Sequence, residues 1–297
     1  MPFAAVTTMR TLPVPLLALM FGIGGCRATS EAPTPSDATS GRADGGEPGD
    51  PPASKHGTLA VVSLSANLHA TALFFDEPPV TAVEGCVVGP LPPRTESPSP
   101  SRPAVKAGTV SVSFVTKEKG REQLSLVWDP VRALYSAAKG GSDYGRIDVA
   151  GESVDFTVSG DVVPAFEASI VATEDFDVVG SEPTRGMSRH LSVARNGDLT
   201  LAWSNTTNPF MTLTLQGTMN YVACRFPPGA TSGVVPAALF EQIVSEAAED
   251  LAECPGSTCL KGSLSGTRET HVRVGDFDIK VAYSTWKLLT LDLPPRP

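Results

Sequence analysis

The chain has 297 residues, 41% of them apolar, which is enough to build a sizeable core and excludes disorder along its whole length. Its 32 acidic and 23 basic residues give a net charge of −9, which repels a phosphate backbone, so no nucleic-acid partner is expected. It contains 27 glycines, 27 prolines and only 6% aromatic residues, a balance typical of a turn-rich β protein and not of a helical bundle.

The chain opens with a short apolar run. Residues 12–24 follow a positive charge at Arg10, and they are too few to span a bilayer, which takes about 20 apolar residues. The run ends in Ile23-Gly24-Gly25-Cys26, which resembles the lipobox of bacterial lipoproteins. The pattern therefore predicts a signal peptide over residues 1–25, cleaved before Cys26. An ordinary secretory signal followed by a chance cysteine is the alternative.

Resemblance to the lipoprotein family implies a lipid on Cys26. The thiol would carry a diacylglycerol group, and the amino group freed by cleavage would be acylated as well. Two or more chains anchor a protein stably where one does not. By resemblance to enterobacterial sorting, Arg27 differs from the aspartate that retains lipoproteins in the inner membrane. Membrane lipid held through Cys26 is thus the expected partner, and the outer membrane of the cell envelope is favoured.

Two polar stretches interrupt the remaining chain. Residues 26–56 contain almost no large apolar side chain, so they cannot offset the entropy of ordering and are predicted to form a disordered tether. Residues 89–107 are rich in proline and serine and predict a disordered loop. The loop lies within residues 57–297, which are expected to form one β-rich globular domain. Two domains that divide near residue 183 are the alternative.

Alternation of apolar and polar residues predicts strands through the globular domain. Asn-Gly is a strong signal for a hairpin turn. Strands are predicted over residues 57–75, 110–114, 124–128, 147–158, 191–203, 211–215 and 277–283, with hairpin turns at Gly151 and at Asn196-Gly197. Trp128 and Trp203 share the apolar side of their strands, which favours the core over an exposed platform for sugar binding.

One segment has helical spacing instead. Between residues 236 and 252, apolar residues such as Phe240, Ile243 and Val244 recur on one face, and Pro236 suits a first helical turn. Together with the strands, this segment predicts a mainly β fold. The expected architecture is an antiparallel β-sandwich or an open β-barrel with one amphipathic helix.

The last third of the chain carries a second resemblance. Trp203 at a strand end, Cys224 in a later strand and the run Val235-Pro236-Ala237-Ala238-Leu239-Phe240 are similar to uncharacterised secreted lipoproteins of myxobacteria. The resemblance implies a β-rich exported domain. It brings no activity and no catalytic residues.

Four cysteines remain once Cys26 carries lipid. An even number in an exported chain favours disulfides. Of the three pairings, Cys254 with Cys259 is favoured because Pro255-Gly256 turns the chain back between them, which leaves Cys86 with Cys224. A zinc ion held by the four thiolates is the alternative.

The sequence contains no recognisable catalytic motif. Gly-x-Ser-x-Gly, the phosphate-binding loop, Gly-x-Gly-x-x-Gly and His-Glu-x-x-His are all missing, and no cofactor is expected. Glu174, Asp175 and Asp177 form the densest carboxylate group, which could bind calcium or serve in hydrolysis. A solvated turn is the favoured interpretation of these three residues.

These observations predict a lipid-anchored envelope protein that acts as a non-catalytic binding or structural module. Its expected partner is an envelope protein or a polysaccharide. An envelope hydrolase that uses carboxylates is one alternative, which a carboxyl group with a raised pKa in a deep pocket would favour. A carrier of an apolar ligand inside a β-barrel is another, and a large apolar cavity would favour it.

Overall fold

The computed structural model describes residues 53–64, 67–76, 85–91, 104–116, 120–137, 149–183, 188–204, 210–249 and 258–294. Within these ranges the chain is mainly β with one α-helix, as the sequence pattern predicts. The predicted signal peptide, Cys26 and residues 27–52 of the predicted tether lie outside the described residues. None of the helical structure within these ranges is long and apolar enough to cross a membrane.

The strands and the helix are numbered in chain order. The first eight strands are β1 (Lys55–Leu64), β2 (Asn67–Phe75), β3 (Gly85–Pro90), β4 (Val110–Thr116), β5 (Gly120–Asp129), β6 (Leu134–Ala137), β7 (Ser153–Val158) and β8 (Phe166–Val171). The next six are β9 (Glu182–Pro183), β10 (Ser188–Ser192), β11 (Leu199–Ala202), β12 (Phe210–Gln216), β13 (Asn220–Phe226) and β14 (Ser232–Val235). The chain ends with α1 (Ala237–Ser245), β15 (Ala248–Glu249), β16 (Thr258–Val274) and β17 (Phe277–Leu293).

One sheet contains 15 of these strands. Its hydrogen-bonded path is β3-β13-β12-β16-β17-β1-β2-β6-β5-β4-β7-β8, and β11 pairs with β14 in a separate sheet. Among the described residues no ladder joins β3 to β8, so the path does not close on itself. Most pairs are antiparallel, but β1 and β10 both run parallel to β17. The sheet is therefore mixed, whereas an antiparallel sheet was predicted. It is mixed because β1 and β10 lie beside the last strand and run in the same direction as that strand.

Strand β5 divides the sheet into two layers. Its residues up to Leu126 pair with β4, and those from Val127 pair with β6. The layer of β4, β5, β7 and β8 packs over β1, β2 and the first part of β17, as the two layers of a β-sandwich do. The first core lies between these layers and includes the buried rings of Phe74, Phe114 and Phe156.

A second core lies at the other end of the long strands β16 and β17. It contains Leu213 and Leu215 of β12, Phe240 and Ile243 of α1, and Trp203. Strand β17 belongs to both cores, with alternate residues from Phe277 to Tyr283 in the first and from Leu289 to Leu293 in the second. The hairpin of β16 and β17 therefore connects the two cores.

The predicted hairpin at Asn196-Gly197 is wrong. The chain does turn there, but β10 pairs with β17 and β11 pairs with β14. Side chains of the turn contact other elements instead: Arg195 donates to the hydroxyl of Thr258, and Asp198 accepts a 2.8 Å hydrogen bond from the backbone N–H of Ala237. Tertiary contacts thus outweigh local strand pairing.

The helix is shorter than predicted. It ends at Ser245 instead of continuing to residue 252. The Glu246 side chain reaches the turn between β12 and β13, and Ala248 then pairs with Cys259 in β16. The chain leaves the helical path because these two contacts hold it against the sheet.

Two predicted disordered segments are partly ordered. Strand β1 begins at Lys55, inside the predicted tether. The predicted loop over residues 89–107 is ordered at both ends, since Gly89 belongs to β3 and Ala107 is buried in the first core.

The hairpin predicted around Gly151 does not form with β7, because β4 and β8 pair with the two edges of that strand. Residues 141–148 lie outside the described part.

Candidate functional site

The predicted carboxylates lie between the two cores. On the core-facing side of β17, Thr285 and Lys287 separate the two apolar stretches. The chain that follows β8 covers them, and the hydroxyls of Thr173 and Thr285 form a buried 2.8 Å hydrogen bond. We call Thr173, Asp175, Thr285 and Lys287 the junction.

Asp175 and Asp177 each pair with a cation. The Asp175 oxygens lie 2.7 and 2.8 Å from Lys287 Nζ, and the Lys287 side chain is only 14% exposed. Its ammonium also lies 5.9 Å from the centroid of the buried Phe176 ring. Asp177 forms an ion pair with Arg189 of β10, whereas Glu174 is exposed to solvent. The carboxylates thus point to separate partners.

This geometry supports a structural role for the junction. A calcium ion takes six to eight oxygen ligands in one place, whereas Asp175 and Asp177 contact different cations. Across the described ranges, no group of three or more His, Cys, Asp or Glu side chains comes together as a metal site would require. The ion pair of Asp175 satisfies a lysine that the two cores would otherwise bury without a partner.

A second candidate site is the outward side of the layer formed by β4, β5, β7 and β8. Alternate residues of these strands point into the first core, and those between them are all exposed or half-buried. We call this surface the polar face. It consists of Ser111, Ser113, Val115, Arg121, Gln123, Ser125, Ser153, Asp155, Thr157, Glu167, Ser169 and Val171.

Asp155 is the centre of a hydrogen-bond network on the polar face. Its Oδ1 accepts from the hydroxyls of Ser153 at 2.6 Å and Ser169 at 2.8 Å. Its Oδ2 lies 3.1 Å from the guanidinium of Arg121, which also donates to Ser113 at 3.1 Å. Residues from all four strands are therefore linked, because β-strands place alternate side chains on one side of a sheet.

The network keeps Asp155 ionised. The hydrogen bond from Ser153 lowers the pKa of the carboxyl, and Ser169 and Arg121 lower it further, against a smaller opposing effect of burial. The pKa of Glu246 is also lowered, since hydrogen bonds from Asn220 and backbone N–H groups outweigh the burial that raises it. A general acid needs the opposite shift, so both carboxylates are suited to accepting hydrogen bonds.

The tryptophans provide no exposed platform. Trp203 is buried in the second core, and its indole N–H donates to the Ala230 carbonyl at 2.8 Å. Trp128 is half-buried against the first core, with its ring 4.9 Å from that of Tyr135. Trp286 is buried with Val62 on the opposite side of the sheet. The core interpretation therefore holds for Trp203 and in large part for Trp128.

All three cysteines among the described residues form disulfide bonds. Cys86 of β3 is bonded to Cys224 of β13, the pairing that the sequence favoured. Cys259 is also disulfide-bonded, and its predicted partner Cys254 lies outside the described residues. A zinc site of four thiolates is incompatible with the bond between Cys86 and Cys224.

The polar face was not predicted from the sequence. The polar residues Ser153, Asp155 and Thr157 alternate with apolar ones, which indicates that one side of β7 is exposed. That signal shows which residues face solvent, but it does not show which strands lie beside β7. The pairing of β7 with β4 and β8 brings Arg121 and Ser169 to Asp155.

Comparisons with known proteins assign no family to the chain. No protein-family model matches it. No curated protein matches it in sequence either.

Proposed function

We propose that the protein is a lipid-anchored envelope protein, held through Cys26 with the outer membrane favoured. Its domain is a non-catalytic binding module that uses the polar face. The observation that carries this proposal is the network around Asp155, which orders polar side chains on a sheet surface where the described residues leave them exposed or half-buried. The resemblance of residues 23–26 to a lipobox supports the anchor.

The polar face is suited to exchanging hydrogen bonds. Hydrogen bonds link the side chains of Ser113, Arg121, Ser153, Asp155 and Ser169, so a partner would cost these five little conformational entropy. Arg121 and Asp155 neutralise each other, which leaves Glu167 as the remaining charged group of this surface. These features favour binding over catalysis, which would require a group with a pKa matched to proton transfer.

A protein is the better partner for this surface. Val115 and Val171, 39% and 43% exposed, lie among the polar groups, and protein interfaces combine apolar and hydrogen-bonding contacts in this way. A polysaccharide is the second choice, because the three tryptophans, whose rings could stack on sugars, are buried or half-buried. Residues 27–52 of the predicted tether would span about 30 Å as a flexible chain, which would let the domain reach a partner above the membrane.

The anchor and the binding surface are tested together. We expect the mature wild-type chain to begin at a lipidated Cys26 by intact mass and to need detergent for release. The Cys26→Ala variant should need no detergent for release, since only contacts of the polar face with its partner would then hold it to the envelope. A soluble mature chain that begins elsewhere would refute the anchor.

The Cys26→Ala chain is then added to envelopes from cells that lack the protein. It should sediment with them through the polar face, whereas Cys26→Ala/Ser169→Arg should remain in the supernatant, since a long charged side chain beside Asp155 blocks the surface. Cys26→Ala/Val162→Arg is the matched control, because Val162 is 54% exposed but lies outside the polar face. Equal sedimentation of both arginine variants would contradict the binding surface. Protease treatment of the envelopes distinguishes a protein partner from a polysaccharide.

A further inference from the structure

Strand β1 lies in the middle of the sheet although it is the first strand. It runs parallel to β17 from Lys55 beside Phe277 to Leu64 beside Trp286. On its other edge it is antiparallel to β2. Both edges are therefore hydrogen-bonded, to β17 along all ten residues and to β2 from His56 to Leu64. A strand at the edge of a sheet would have only one such ladder.

Strand β1 is also buried on both sides. Leu59 and Val61 point into the first core and are fully buried. Val62 and Leu64 point to the opposite side, where they pack against Trp286. Removing β1 from the sheet would break two ladders and expose apolar surface on both sides, so each contributes to holding it in place.

Because β1 and β17 are parallel, the points at which the chain is pulled determine whether their ladder is sheared or opened bond by bond. The chain enters β1 at Lys55, next to the start of β17, and β17 ends at Leu293. A pull on the chain before Lys55 against a load near Leu293 slides β1 along β17, and all hydrogen bonds of the ladder resist together. A pull between Lys55 and the start of β17 opens the ladder one bond at a time.

We propose that β1 and β17 form a force-bearing clamp that keeps the domain folded when its N-terminal side is pulled. The proposal rests on the proposed function, because lipid on Cys26 would direct load into the domain through the residues before Lys55. The clamp prevents extraction of the strand that is attached to the anchor.

Single-molecule force spectroscopy tests the clamp on one variant in two pulling geometries. In Cys26→Ala/Asp276→Cys, the introduced thiol lies in the exposed turn before β17, where the backbone oxygen of Asp276 accepts a hydrogen bond from the Lys55 N–H. One handle is placed before Lys55, and the other is placed either at the C-terminus or at position 276. The same molecule serves both geometries, so any effect of the substitutions on folding is shared.

We expect the unfolding force to be at least about twofold higher when the chain is pulled from its two ends than when it is pulled from position 276, because forced unfolding depends on the barrier that all the bonds form together. Equal forces would overturn the proposal. So would an early low-force step, in the end-to-end geometry, that releases the ten residues of β1. The measurement needs no lipid, so its failure is distinct from a failure to find lipid on Cys26.

Discussion

The two cores use the same two long strands but are closed in different ways. The first core is covered by β4, β7 and β8, which continue the sheet through the bend in β5. The second core is covered by α1 and the separate pair of β11 and β14, and a disulfide joins β3 to β13. A cover that continues the sheet is positioned by backbone pairing. A cover connected by loops depends on individual side-chain contacts.

The contacts of the second core show this dependence. Asp198 accepts a hydrogen bond from the first residue of α1, and Glu246 binds the turn after β12. Gly233 of β14 lies so close to the sheet that a Cβ atom there would be 2.2 Å from the ring of Phe226. Each contact is local and specific. The second core should therefore respond to single substitutions that leave the first core unchanged.

Loss of the disulfide should produce the largest difference in stability between the two cores. The bond between Cys86 and Cys224 closes a loop of 138 residues. Cys86→Ser/Cys224→Ser should therefore lower the free energy of unfolding by about 5 kcal/mol, because the unfolded chain gains conformational freedom. Hydrogen exchange should accelerate in β13 more than in β7. Equal acceleration in both strands would mean that the two cores unfold as one unit.

A substitution in the first core should have the converse effect and destabilise that core more than the second. Phe156 of β7 is fully buried, so Phe156→Ala should cost about 4 kcal/mol through lost burial and a residual cavity. Hydrogen exchange should now accelerate in β4 and β7, with β12 and β13 less affected. Thr157→Ala, at an exposed position of the same strand, is the control and should change little. If β13 exchanges as fast as β7, the distinction between the cores is wrong.

The smallest expected effect is a pH-dependent loss of stability in the second core. Glu246 accepts hydrogen bonds from the backbone N–H groups of Met219 and Asn220, each at 2.9 Å. Glu246→Gln should lower the stability of the second core by about 1 kcal/mol at neutral pH.

The pKa of Glu246 in the folded protein lies below its ordinary value of 4.5. The stabilisation is therefore complete above that pH and is lost as the pH falls through the folded-state pKa. Urea unfolding of wild type and variant between neutral and acidic pH, read by exchange in β13, measures the difference. A difference that stays constant at acidic pH would contradict the role of the charge.

The sequence predicted those features that depend on local pattern. Strand β4 was predicted from the alternation of Val110, Val112 and Phe114, and α1 from the spacing of Phe240, Ile243 and Val244. The spacing of apolar residues within one strand or helix shows which of its sides is buried. These predictions therefore needed no knowledge of the neighbouring elements. The pairing of Cys86 with Cys224 was reached by elimination among four cysteines.

Features that depend on distant contacts were missed. A turn at Asn196-Gly197 predicts a hairpin, but the strands on its two sides pair with β17 and β14. The carboxylates at Asp175 and Asp177 are dense in the sequence, yet cations from β17 and β10 separate them. The partners in each case lie far along the chain, and no local pattern encodes their position.

The position of β1 also has a consequence for how the protein is made. Its partner β17 lies about 220 residues later in the chain, and contacts of such long range slow folding. During synthesis from the N-terminus, β1 emerges first but cannot complete the sheet until β17 has been made. The edge of β1 that pairs with β17 stays open for most of that time, so the growing chain needs protection from aggregation until its last strand is available.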